Sequence, residues 1–261
     1  MERVISSAPL FAGSLFLGML LFLEVGRRCG VRCLAKYPEE ERVAIGMVEG
    51  AVYGLLSLLL AFTFNGAASR FDARRQLIVE ETNAIGTAYL RLDLLPTDTQ
   101  PALRENFRQY VETRLAAYRK LPDVAAAKAE LARSIKLQGA IWTQAIDAAR
   151  RTESPAVITL VLSSLNEMID ITTTRTVAVQ THPPVEIFAM LFGVALASAL
   201  LAGYGMAANK ARNWVFGVGF AAVVAVAVFV TIDLEFPRVG LIRIDSVDQI
   251  LVELRESMNP R

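Results

Sequence analysis

A chain of 261 residues that is 54% apolar yet 20% charged, with mean hydropathy +0.40, departs from the even mixture of a soluble globule. Its net charge of +1 leaves no bulk field to hold nucleic acid. Cys29 and Cys33, with no histidine beside them, exclude a closed zinc site, and they are expected to be reduced thiols rather than a disulfide.

The charges are segregated around four apolar stretches, about Pro9 to Val25, Ala44 to Ala68, Val185 to Ala208 and Trp214 to Leu234. A bilayer core takes about 20 helical residues, so each stretch predicts a transmembrane helix. Gly26-Arg27-Arg28 follows the first run with no small-x-small cleavage signal, so that run is expected to stay as a helix. Next comes a basic hairpin with Arg27, Arg28, Arg32 and Lys36. Pro38 and Glu39-Glu40-Glu41 then suit a helix start, where proline is tolerated and acids meet the positive end of the dipole.

The second span does not stop at the lipid. Arg70, Asp72, Arg74 and Arg75 raise the polarity, but nothing breaks the helix before Pro96. Leu77, Ile78, Ile85, Ala88, Leu92 and Leu95 keep a helical period. Three more amphipathic helices follow, with Pro101, Pro122 and Pro155 expected in their first turns. The middle one is alanine-rich, with Leu131, Ile135, Ile141 and Trp142 as its apolar contacts. His182-Pro183-Pro184 ends the block, and the lone His182 reads as a boundary residue. In the tail, Ser246 and Gln249 have capping-box spacing for a last helix ending near Arg255.

The predicted fold is therefore all-α: a polytopic membrane protein with four transmembrane helices and a soluble helical bundle between the second and third. The boundaries are 1–68 for the first hairpin, 69–184 for the bundle, 185–234 for the second hairpin and 235–261 for the tail. An even number of spans places both termini on the bundle side. Short-loop charges, with Lys210 and Arg212 in the second hairpin, favour both hairpins in the cytoplasm. Arg70, Arg74 and Arg75 pull the other way, and the side of the bundle stays undecided.

No catalytic constellation, phosphate-cradling loop or metal motif is present, so neither an enzyme nor a cofactor is expected. Glu80-Glu81 are neighbours facing different directions and read as a solvated face. The second span carries the stronger signal. Gly46, Gly50 and Gly54 are spaced by four, and Ser57, Leu58, Ala61, Phe62 and Asn65 continue the face. Such a seam serves either tight helix packing or a pore wall in which large apolar groups constrict and gate by dewetting. Glu49 inside the same apolar stretch is a candidate functional acid.

Three stretches resemble known families. Leu58-Leu59-Leu60-Ala61-Phe62-Thr63-Phe64-Asn65-Gly66-Ala67-Ala68-Ser69-Arg70-Phe71 is similar to the end of the second membrane helix of bacterial bestrophin homologues. Val79-Glu80-Glu81-Thr82-Asn83-Ala84-Ile85-Gly86-Thr87-Ala88-Tyr89-Leu90-Arg91-Leu92-Asp93-Leu94-Leu95-Pro96 and Asp233-Leu234-Glu235-Phe236-Pro237-Arg238 resemble a bacterial bestrophin-like membrane family of unknown function. The resemblance implies a pentameric anion channel in the bacterial inner membrane, with second helices around the axis. Of the family's three large apolar neck residues, the last falls on Phe62, the middle one on Leu58 and the first on Gly54, where a glycine leaves that level wide. The calcium-sensing acidic cluster of animal bestrophins has no counterpart.

The expected function is thus a homo-oligomeric ion channel in the lipid bilayer, passing chloride or other small anions. Arg70, Arg74 and Arg75 would form a basic ring at the mouth or a collar among lipid headgroups. The alternative is a non-conducting sensor or scaffold whose bundle binds a ligand or partner protein.

Overall fold

The structure, a computed structural model, describes residues 8–33, 39–207 and 214–259, and of residues 39–45 only the backbone. The expected helix start at Pro38 and the hairpin charges Lys36, Lys210 and Arg212 lie outside the described residues. The helices are α1 (Ala8–Cys33), α2 (Glu39–Leu90), α3 (Gln100–Arg119), α4 (Val124–Arg150), α5 (Pro155–Gln180), α6 (Val185–Met206), α7 (Trp214–Glu235) and α8 (Gln249–Ser257). No strand occurs among the described residues. Among the described residues four stretches are long and apolar enough to cross a membrane: Ala8–Cys33, Gly46–Leu94, Pro155–Met206 and Trp214–Glu235.

Helix α2 runs unbroken for 52 residues. A turn of 3₁₀ helix at Arg91–Leu94 ends it, and Leu95 is extended, the conformation that the ring of Pro96 imposes on its predecessor. The chain divides into two compact units, Met1–Ser69 with His182–Phe236, and Arg70–Thr181 with Pro237–Arg261.

In the first unit, Leu15, Met19 and Leu23 of α1 pack with Leu191, Ala195 and Ala199 of α6 and Ala221, Val224 and Val228 of α7. The close approach is made by glycines: a Cβ on Gly26 would lie 1.9 Å from the Leu200 carbonyl oxygen, and one on Gly203 would lie 2.0 Å from that of Leu23. Backbones can meet so closely only where the side chain is absent. At Gly46, Gly50 and Gly54 a Cβ would meet nothing within 4 Å in the same chain.

The second unit has its own core. Ile78 and Ile85 from α2 meet Phe107 and Tyr110 from α3, Ile141 from α4, and Leu165 and Met168 from α5. Each such side chain contributes about 1.5–3 kcal/mol on burial. Ile244, Leu251 and Met258 are buried in the same core, so the tail is part of this unit rather than an appendage.

Pro101 and Pro155 lie in the first turns of α3 and α5. Pro122 does not: it precedes Asp123, the N-cap of α4, whose carboxylate accepts from the Ala126 N–H at 3.0 Å. On α4 the inward stripe runs through Ser134, Gln138, Ile141 and Ala145. Gln138 donates to the Tyr110 hydroxyl and Thr172 Oγ1, which leaves Ile135 65% exposed rather than in the core. The expected capping box does not form. A 3₁₀ turn at Asp245–Asp248 leads into α8, and its N-cap, Asp248, makes no side-chain cap bond.

Candidate functional site

The candidate site is the uncovered face of α2. Helical geometry sets Leu56 and Ala67, three turns apart, on one side, and these are the buried positions of the span. Gly54, Leu58, Phe62 and Asn65 fall opposite and are exposed, Leu58 to 51% and Phe62 to 65%. Of the four apolar stretches, the one in α2 is the least covered by the chain itself, 6% of its most apolar window being buried against 22–39% in the others. Ser57 and Thr63 turn their hydroxyls back onto the helix, onto the carbonyls of Tyr53 and Leu59. Asn65 has no such recourse. Its amide is exposed and has no hydrogen-bond partner among the described residues.

Glu49 is partly buried, and its Oε1 has no hydrogen-bond partner among the described residues. It lies against α6, where a Cβ on Gly205 would fall 2.7 Å from that oxygen. The absence of a side chain at 205 is what admits the carboxylate.

The three arginines that follow the span have different fates. Arg74 is 5% exposed and its guanidinium donates to the carbonyls of Ala178 at 3.1 Å and Thr181 at 2.9 Å. Those carbonyls end α5 and lack helical donors, so Arg74 caps a helix. It departs from the exposed collar expected of it. Arg75 is exposed, with Asp72 at 3.4 Å and its guanidinium over the Phe71 ring. Arg70 is partly exposed.

His182 lies with its Nδ1 3.5 Å from Glu235 Oε2 and its ring against Phe236. The pair edges a cleft of about 610 Å³ whose other walls, among them Phe11, Phe188 and Phe192, are apolar. Cys29 and Cys33 are free thiols.

The site that sequence reasoning missed is buried in the second unit. Glu80 is exposed, but Glu81 is 0% exposed and is held by Arg114 Nε at 2.6 Å on Oε1 and by Arg175 Nη1 on Oε2. Burial alone would raise the Glu81 carboxyl, but the two guanidinium groups outweigh it and hold the group below the usual carboxylate range. Arg114 and Arg175 occupy inward positions in the mostly apolar buried stripes of α3 and α5. That is the signal by which Glu81 could have been found.

With this geometry in view, comparison with known proteins places the chain. A family model described as a Bestrophin-like domain matches residues 18–248. The chain belongs to the bestrophin-like family. The match begins within α1 and ends just before α8, so it takes in parts of both units. Among solved structures, the chain is similar to a bacterial bestrophin homologue from Klebsiella pneumoniae carrying a tryptophan-to-alanine mutation. The identity is 15%, the match covers 93% of this chain and 97% of that one, and the TM-score is 0.66. At that identity the likeness is one of fold. No curated protein matches. This bestrophin-like chain is accordingly an integral membrane protein, all-helical in its described residues.

Proposed function

We propose that this bestrophin-like protein is a channel for small anions, assembled from identical subunits in the bacterial inner membrane, with α2 lining the pore. The observation that carries the reading is the uncovered face of α2, where an unpartnered Asn65 amide lies beside Leu58 and Phe62. Facing hydrocarbon, a bare amide is costly. Facing an axis shared by several copies, it meets water. The pentamer implied by the family resemblance supplies such an axis. Leu58 and Phe62 then form an apolar constriction that conducts only when wetted, and Gly54 leaves its own level wide. Arg70 and Arg75, repeated around the axis, favour anions near the mouth. The chain does no catalysis in this reading.

A second reading, a non-conducting sensor, draws on a charged cavity in the second unit lined by Arg119, Arg238 and Arg243. The test separates them. With Cys29 and Cys33 changed to Ser, a Phe62→Cys channel is expected to lose its current to a small water-borne thiol reagent, as a pore-facing residue must. Current untouched by the reagent, while the thiol stays unmodified, would place Phe62 against lipid or protein and overturn the pore assignment.

A further inference from the structure

The Glu81 cluster does not end at Arg175. Arg175 Nη2 lies 3.8 Å from Asp248 Oδ1, Asp248 is held by both terminal nitrogens of Arg238, and Arg238 reaches Asp245 at 3.5 Å. Asp245 in turn receives Arg243 Nε at 2.6 Å. The row alternates in sign and both its ends are arginines, so it holds one more cation than it has carboxylates. Most of it is inside the protein, with side-chain exposures of 3% for Arg114 and Arg175 and 11% for Arg238. The ring of Tyr118 lies under Arg175 at 4.1 Å and Arg238 at 4.5 Å. It attracts both cations but supplies no countercharge.

The outer end of the row opens on a cavity of about 300 Å³, lined by Tyr118, Arg238, Arg243 and Asp248 together with Arg119. Arg119 is exposed and forms no ion pair among the described residues. We propose that this cavity binds a small oxyanion, the carboxylate or phosphate group of a soluble molecule. The excess positive charge sets the sign of the ligand. The guanidinium fork of Arg243, backed by Arg119, matches a planar or tetrahedral oxyanion better than a spherical ion, and the volume far exceeds that of a halide. Asp248 is committed to Arg238. Asp245 is the group an incoming oxyanion must compete with for Arg243.

The proposal does not rest on conduction, and its test uses none. The full chain, purified in detergent, is titrated by calorimetry at constant ionic strength with inorganic phosphate, succinate or chloride. Saturable binding of phosphate or succinate, far tighter than chloride, is expected. Arg243→Ala and Arg119→Ala should each weaken it by roughly tenfold or more, the loss of one charge-assisted contact. Asp245→Asn should tighten it, a sign that mere structural damage does not produce. Arg119 is outside the ion-pair row, so its variant is expected to melt with the parent. No saturable oxyanion binding, chloride binding equally well, unchanged affinity in both arginine variants, or weaker binding in Asp245→Asn would each overturn the site.

Discussion

Glu81 Oε1 accepts from Arg114 Nε at 2.6 Å, and neither side chain is more than 3% exposed. A pair taken so fully out of water is held by its own geometry, and removing one partner strands the other. Arg175 shares the same carboxylate, so Glu81→Gln leaves buried Arg114 without its charge partner and Arg175 with only the more distant Asp248 at 3.8 Å. The substitution should cost about 3–5 kcal/mol, read as a lower midpoint in denaturant unfolding of the purified chain. Glu80→Gln, at an exposed neighbour, should stay within about 0.5 kcal/mol.

The same carboxylate sets an acid limit. Its folded value lies below the ordinary 4.5, so the stability it supplies is present above that ordinary value and is lost as pH falls through the folded one. Thermal melts taken downward from pH 6 should hold steady and then drop once the pH passes below 4.5. In Glu81→Gln that part of the drop should be missing.

Glycine substitutions separate the two kinds of membrane-helix surface. Gly203→Ala forces a Cβ to within 2.0 Å of the Leu23 carbonyl oxygen. Backbone cannot yield as a side chain can, and overpacking of this kind costs about 1–3 kcal/mol or more. Gly50→Ala meets nothing within 4 Å in its own chain and should leave the subunit's melting point unchanged or slightly higher, as helix propensity alone predicts. Differential scanning of the two purified variants checks the contrast.

Much of the fold was legible in the sequence. The four apolar stretches, the unbroken run of α2 toward Pro96 and the prolines opening α3 and α5 all follow from local rules, because length, periodicity and ring geometry act within a few turns. What was hidden depends on partners far along the chain. Glu81 looked solvated because its neutralising arginines are on α3 and α5. Gly26 and Gly203 gave no sign of their role because neither glycine alone says which backbone will approach it. The tail looked separate because Ile244, Leu251 and Met258 find their core only once α3 to α5 are in place. For the candidate site, the α2 face was visible as a pattern of small and apolar residues. The loss of Arg74 to the end of α5 was not, since a free carbonyl is a feature of the folded backbone.

Phe62→Ala should alter single-channel conductance of the reconstituted protein. If Phe62 and Leu58 form the constriction, removing the ring widens it and eases wetting, so open-state current should rise severalfold at equal drive. Val226→Ala, at an exposed apolar position on α7, serves as the control and should leave it unchanged.

The most direct measurement is current across a planar bilayer containing only the purified protein, with chloride on one side exchanged for gluconate. An anion pore predicts macroscopic current whose reversal potential moves toward the new chloride equilibrium potential. A reversal potential that follows the cation gradient instead, or a bilayer that stays silent with folded protein inserted, would contradict it.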